Sequence, residues 1–242
     1  MAAVLTTILL LLSACGTSSP EPELRIAVAS NFKEPSTELV KQFQERSGRN
    51  VTITLGSTGK LYAQIRNGAP FGVFLAADAD RPKLLESEIP AAAGSRFTYA
   101  VGKLVLWSPK ERFVDPEGRV LEGDFGKLAI ANPKLAPYGA AAEEALRKKG
   151  IWEKVESRLV RGENIGQTFQ FVSTGNAELG FVALSQAKSR KGSFWEVPQA
   201  LYTPIEQQTV LLSSDEGARE FLDFLKTEEA RKVIRNYGYE TR

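Results

Sequence analysis

Val51-Thr52-Ile53-Thr54-Leu55 runs into Gly56-Ser57-Thr58-Gly59, and residues 60–67 then carry Leu61 and Ile65 four apart before Gly68. An apolar, β-branched run, a short polar turn holding glycine and a helix-like segment follow one another without a break. The same junction recurs three times. Leu24-Arg25-Ile26-Ala27-Val28-Ala29 enters Ser30-Asn31, Leu128-Ala129-Ile130-Ala131 enters residues 132–139, and Arg158-Leu159-Val160 enters Gly162-Glu163-Asn164-Ile165-Gly166. A strand-to-helix turn leaves backbone N–H groups free at the positive end of a helix dipole, a setting that suits an anion. Two of the turns fall in the first quarter of the chain and two in its middle, which implies one anion held between two lobes.

Outward from these junctions, strands and helices alternate from Leu24 onward, which favours an α/β fold with largely parallel sheets. The spacing predicts a helix over 35–47, with Leu39, Val40 and Phe43 on one face and a stop at Gly48. Phe71-Gly72-Val73-Phe74-Leu75-Ala76 and Leu179-Gly180-Phe181-Val182-Ala183-Leu184 read as buried strands. Helices are expected over 140–149 and 167–172, and a single closing helix over 216–236. The apolar run 97–107 and the segment 209–212 suit two crossings between lobes. No repeat of fixed period is present.

Composition narrows the function classes. With 242 residues and 43% hydrophobic content, the chain can bury a sizeable core in one domain or two small ones. The formal charge is +2 with no dense Lys/Arg tract, so no nucleic-acid partner is indicated. Histidine is absent, which excludes Ser-His-Asp and Cys-His catalysis and most zinc sites. The only cysteine is Cys15, so no internal disulfide forms. Residues 1–14 are uncharged and contain an apolar stretch over 4–12, too short to span a membrane but suited to a secretory signal. Leu12-Ser13-Ala14-Cys15 resembles the bacterial lipobox. A lipoprotein signal peptide is therefore expected over 1–14, with Cys15 lipidated and 15–23 a Ser/Pro-bearing tether. An ordinary signal peptide with an incidental cysteine is the plainer alternative.

The second turn invites two enzymatic readings. A P-loop would need glycine at 54 and Ser or Thr at 61, where the chain has Thr54 and Leu61. Ser57-Thr58-Gly59-Lys60 fits the S-x-x-K pattern of Ser–Lys hydrolases, but their S-D-N and K-T-G companions do not occur. What remains is either a simple helix cap or an oxyanion cradle. In the cradle, Ser30, Ser57 and Thr58 offer hydroxyl donors, while Asn31, Tyr138 and Ile165 contribute mainly through their amides. Such neutral donors favour a fully deprotonated oxyanion. Elsewhere, Asp78 and Asp80 read as a solvated helix-start pair rather than a cation site. Tyr237 and Tyr239 read as C-terminal packing, and Trp107, Trp152 and Trp195 as structural.

Several strings together carry a family resemblance. They are Ala29-Ser30-Asn31-Phe32, Gly56-Ser57-Thr58-Gly59-Lys60-Leu61-Tyr62-Ala63-Gln64-Ile65, Gly68-Ala69-Pro70-Phe71 and the run from Arg96 to Trp107. Ala131-Asn132-Pro133, Ala136-Pro137-Tyr138-Gly139, Gly180-Phe181-Val182-Ala183-Leu184 and Tyr237-Gly238-Tyr239 complete the set. The chain after Leu24 resembles the periplasmic molybdate-binding proteins, the solute receptors of molybdate ABC transporters. The resemblance implies a two-lobe periplasmic-binding-protein fold of type II, each lobe a mixed, mainly parallel sheet flanked by helices, with the ligand in the interlobe cleft. Lobe one is expected over 24–102 plus 203–242 and lobe two over 103–202, with a hinge near Gly102 and Thr203.

The implied function is capture of molybdate and tungstate outside the cytoplasm and delivery to a membrane permease, by a lipid-anchored monomer that is not an enzyme and carries no cofactor or protein-bound metal. Sulfate, phosphate or another oxyanion in the same fold is the alternative. Transferred residue by residue, the implied ligand set is Ser30, Asn31, Ser57, Thr58, Tyr138 and Ile165. Gly72 stands where the family usually has an acidic or polar residue, and Ala76 where serine is common. Some members add a tyrosine from the strand that here reads Phe181-Val182-Ala183, which has none.

Overall fold

The computed structural model describes residues 23–242, so the signal peptide over 1–14, Cys15 and all of the tether but Glu23 lie outside the described residues. Among the described residues, ten strands fall into two five-stranded sheets. The first is built from β1 (Leu24–Ala29), β2 (Val51–Gly56), β3 (Val73–Leu75), β4 (Phe97–Gly102) and β10 (Ile205–Leu211), in the order β2-β1-β3-β10-β4. The second comprises β5 (Leu104–Ser108), β6 (Leu128–Ala131), β7 (Leu159–Gly162), β8 (Leu179–Ala183) and β9 (Ser193–Glu196), in the order β7-β6-β8-β5-β9. The orders correspond. In each sheet three neighbouring strands are parallel, and the next two pairings are antiparallel.

Register is what brings the junctions together. Ala29 pairs with Gly56 at the ends of β1 and β2, and Ala131 pairs with Gly162 at the ends of β6 and β7. Parallel neighbours end at the same edge of a sheet, so each lobe presents two turns side by side beyond its strand C-termini. Helices α1 (Lys33–Ser47) and α2 (Thr58–Arg66) follow the first two turns, and α3 (Asp80–Glu88) follows β3. In the second lobe α4 (Pro137–Lys148), α5 (Trp152–Glu156) and α6 (Ile165–Ser173) surround β6 and β7, and α7 (Leu184–Ala187) follows β8.

Local chemistry explains the starts. Ser57 and Asn164 cap α2 and α6, their side-chain oxygens accepting from the amides of Lys60 and Gln167, and Pro137 takes the first position of α4. That proline sets the start of α4 three residues ahead of the expected one at 140. The expected single helix over 216–236 is instead α8 (Glu216–Leu225) and α9 (Glu228–Asn236). Thr227 makes the break: its hydroxyl donates to the Phe224 carbonyl at 2.7 Å and accepts from the Ala230 amide at 3.3 Å, with Glu228 and Glu229 favourably placed in the new first turn.

Both faces of each sheet are covered. Ile26, Val28, Leu39 and Phe221 bury one face of the first sheet, and Ala27, Phe74, Leu61 and Leu85 the other. In the second, Leu106, Ile130, Leu146 and Phe181 form one side, and Val105, Val182 and Trp107, stacked on Phe169 with ring centroids 5.1 Å apart, the other. The apolar run 97–107 divides at Lys103 into β4 and β5, one in each sheet, so the chain crosses between lobes there and returns into β10. Gly72 has a packing reason: a Cβ would come within 2.6 Å of Leu24 Cδ1 and 3.2 Å of Ala218 Cβ, where α8 lies against the start of β1.

Candidate ligand site in the interlobe cleft

The four turns face one another across the cleft and line a small cavity of about 10 Å³. Ser30, Asn31, Ser57, Thr58, Tyr138 and Ile165 all line it, together with Ala29, Gly56, Ala77, Ala136 and Pro137. No carboxylate, ammonium or guanidinium lies in that wall. Thr58, Tyr138 and Ile165 sit in the first turns of α2, α4 and α6, where amides have no intrahelical acceptor, and the backbone N–H groups of these three donate to no other described residue.

The side chains divide by role. Thr58 Oγ1 accepts from the Ala77 amide at 3.1 Å and Ser57 Oγ from the Lys60 amide at 3.4 Å, which leaves each hydroxyl proton to donate. Ser30 Oγ donates to Asn164 Oδ1 at 3.1 Å and accepts from the Gly166 amide at 3.4 Å, so it already ties the lobes together. The Asn31 carboxamide is directed elsewhere: Nδ2 donates to Gln207 Oε1 at 2.8 Å and to the Tyr239 hydroxyl at 3.1 Å. The Tyr138 hydroxyl accepts from Gln207 Nε2 at 3.3 Å. Asn31 and Tyr138 therefore have their polar side-chain groups engaged with Gln207 on β10 and with Tyr239.

Further bonds join the lobes around the cavity. The Gly59 amide donates to the Leu135 carbonyl at 2.9 Å, Ser185 Oγ to the Asn31 carbonyl at 3.1 Å, and Lys60 pairs with Glu163. That ion pair engages the Lys60 amine, and Glu163 is not among the residues that line the cavity. Arg161, beside the fourth turn, lies near Glu156 at 4.0 Å. Asp78 accepts from the Arg81 amide at 3.1 Å and pairs with its guanidinium, as a helix-start residue does, while burial pushes its carboxyl upward. Among the described residues no group of three or more His, Cys, Asp or Glu converges as a cation site.

Gln207, Ser185, Asn164 and Tyr239 were not singled out as site residues from sequence. Glu206-Gln207-Gln208 lies just ahead of the crossing segment expected at 209–212, and the structure carries that strand back to Ile205. Tyr239, beyond packing, accepts from Asn31 Nδ2 and donates to the Asn31 carbonyl at 2.8 Å. Burial raises the Tyr99 and Tyr138 phenols well above their usual range and takes Tyr239 up to about 12, so this polar cluster stays uncharged at neutral pH.

The family described as bacterial extracellular solute-binding protein matches residues 24–240. The molybdate-binding protein ModA of Rhodobacter capsulatus is 52% identical over 223 residues, covering 90% of this chain and 88% of that one. ModA of Azotobacter vinelandii is 52% identical over 225 residues, with 90% and 89% covered. The chain belongs to the ModA family of bacterial extracellular solute-binding proteins. The solved Azotobacter vinelandii periplasmic molybdate-binding protein superposes with a TM-score of 0.87 at 41% identity, over 90% of this chain and 99% of that one. The sulfate-binding protein SubI of Mycobacterium tuberculosis shares the fold alone, with a TM-score of 0.73 at 11% identity.

Proposed function

We propose that this family member is an extracytoplasmic receptor that captures molybdate, and tungstate as well, in the interlobe cavity and delivers it to the permease of an ABC transporter. The observation that carries the reading is the convergence of free helix-start amides and hydroxyls from both lobes on one cavity without a charged side chain. The ligand set is Ser30, Asn31, Ser57 and Thr58 from the lobe of residues 24–102 plus 203–242, and Tyr138 and Ile165 from the lobe of 103–202. Each lobe supplies part of the donor set, so the oxyanion binds the joined arrangement more tightly than the separated one and biases the lobes together. The permease recognises that joined form. The protein acts as a monomer, needs no cofactor and performs no chemistry on its ligand.

Calorimetry with molybdate, tungstate, sulfate and phosphate tests this directly. Molybdate and tungstate should bind one per chain, with sulfate and phosphate much weaker; equal or absent binding of all four overturns the reading. The affinity should also be flat between about pH 6 and pH 9, because no group in the wall ionises there. The buried phenols hold their protons more tightly in the folded chain than in the unfolded one. Their contribution to stability is full below the ordinary value of 10.0 and is lost as pH rises toward the Tyr239 value of about 12.

No described helix is long and apolar enough to cross a membrane, and attachment is proposed through a lipid on Cys15. A Cys15→Ser variant should leave the membrane fraction with its molybdate affinity unchanged. Fractionation of the unaltered protein as soluble would remove the anchor.

A further inference from the structure

We propose that Gln207 is a positioning residue that couples the two halves of the anion cradle, holding Asn31 of one lobe and Tyr138 of the other from behind. The inference rests on the molybdate reading above. Gln207 is fully buried on β10, a strand leading out of one interlobe crossing, and a register shift between Gln207 and Gln208 interrupts the ladder with β4 at that point. Its amide oxygen accepts from Asn31 Nδ2 at 2.8 Å and from the Tyr99 hydroxyl at 3.2 Å, while its amide nitrogen donates to the Tyr138 hydroxyl at 3.3 Å. One carboxamide thus satisfies a side chain from the first turn and a side chain from the third. Both of those residues offer the ligand their backbone amides, so their side chains are free to be gripped by the hinge.

An independent observation shows that the fold keeps room for this link. Gly102 ends β4 at the other crossing, and a Cβ there would stand 2.0 Å from the Tyr138 hydroxyl oxygen and 2.7 Å from Gln207 Nε2. The Tyr138–Gln207 bond therefore lies directly over the bare backbone of the other hinge segment. A side chain at 102 would occupy the place of the bond. The link touches both crossings, and its partners carry the amides of opposite cradle halves. Loss of the bond frees the start of α4 to turn away from the first lobe, and ligand affinity falls without any donor to the ligand being removed.

A double-mutant cycle on the purified full chain tests the coupling, with molybdate as the probe and calorimetry as the readout. Tyr138→Phe keeps the ring and the backbone amide and removes only the hydroxyl; it should weaken binding by about 2- to 12-fold, the range of one intramolecular hydrogen bond. Gln207→Met should weaken binding at least as much. In the Gln207→Met background, Tyr138→Phe should cost clearly less than in the unaltered protein, because the shared bond is already gone and only the bond of the Tyr138 hydroxyl to Tyr239 is left to lose. A residue with a merely structural role would give losses that multiply, and that outcome overturns the proposal. Should Gln207→Met fail to fold, Tyr138→Phe alone decides, and unchanged affinity there overturns it too. The unaltered protein titrated alongside separates the two failures: no binding by it sinks the molybdate reading and the coupling together, whereas binding by it with multiplying losses sinks the coupling only.

Discussion

Ile165→Pro should lower molybdate affinity by about 10- to 150-fold and leave the fold in place. A hydrogen bond to a charged partner contributes roughly 1.5–3 kcal/mol, and proline deletes the donor outright. Position 165 is suited to the test because it is the first residue of α6, where proline is well tolerated and no intrahelical bond is lost. The preceding residue, Asn164, has φ −145° and ψ 172°, an extended conformation compatible with a following proline. The Asn164 cap on the Gln167 amide at 3.0 Å also remains available. Beyond removing the N–H, the proline ring places carbon where the proton pointed, so the cavity loses a donor and gains a steric obstacle. Ile165→Ala is the control: it truncates a side chain buried in the second lobe's core but keeps the amide. It should cost stability and spare affinity. Equal affinity loss in both variants would show that the side chain, not the amide, matters at 165.

That contrast reflects what was legible in the sequence. The strand ends and polar turns were readable because β-branched runs give way abruptly to Ser, Asn and Gly, and the expected starts of β1, β2 and β6 match the structure. The donors that act through amides were readable only as positions in a turn, since an amide leaves no mark on residue identity. Pairing of the turns was not legible, because it depends on the registers Ala29 with Gly56 and Ala131 with Gly162 across long connections. The break at Thr227 was missed because the apolar spacing of 216–236 continues through it, and the periodicity outweighed the cap signal of Thr227-Glu228-Glu229. Gln207 and Asn31 are separated by 176 positions, and no local pattern announces a bond between them.

Gly139→Ala should impair stability and binding together. Gly139 is in the first turn of α4, directly after Tyr138, where the helix start lies against the end of β6. A Cβ at 139 would stand 2.2 Å from the Ala131 carbonyl oxygen and 2.7 Å from its carbon, contacts no real side chain makes. Both obstructing atoms are backbone of a central strand that pairs with β7 and β8, so relief falls on the helix start. Overpacking of this kind costs about 1–3 kcal/mol of stability. As α4 withdraws, the Tyr138 amide leaves the cavity and its hydroxyl leaves Gln207, so molybdate affinity should fall by at least the roughly 10-fold expected of one lost charge-assisted bond. Gly150→Ala separates this from a general glycine effect. Gly150 has φ +69° with open space around it, so alanine there brings backbone strain of about 1–2 kcal/mol and no collision. Thermal melting should register both substitutions, whereas calorimetry should register only Gly139→Ala. Unaltered affinity in Gly139→Ala would mean that the start of α4 is not what presents the far-lobe donor.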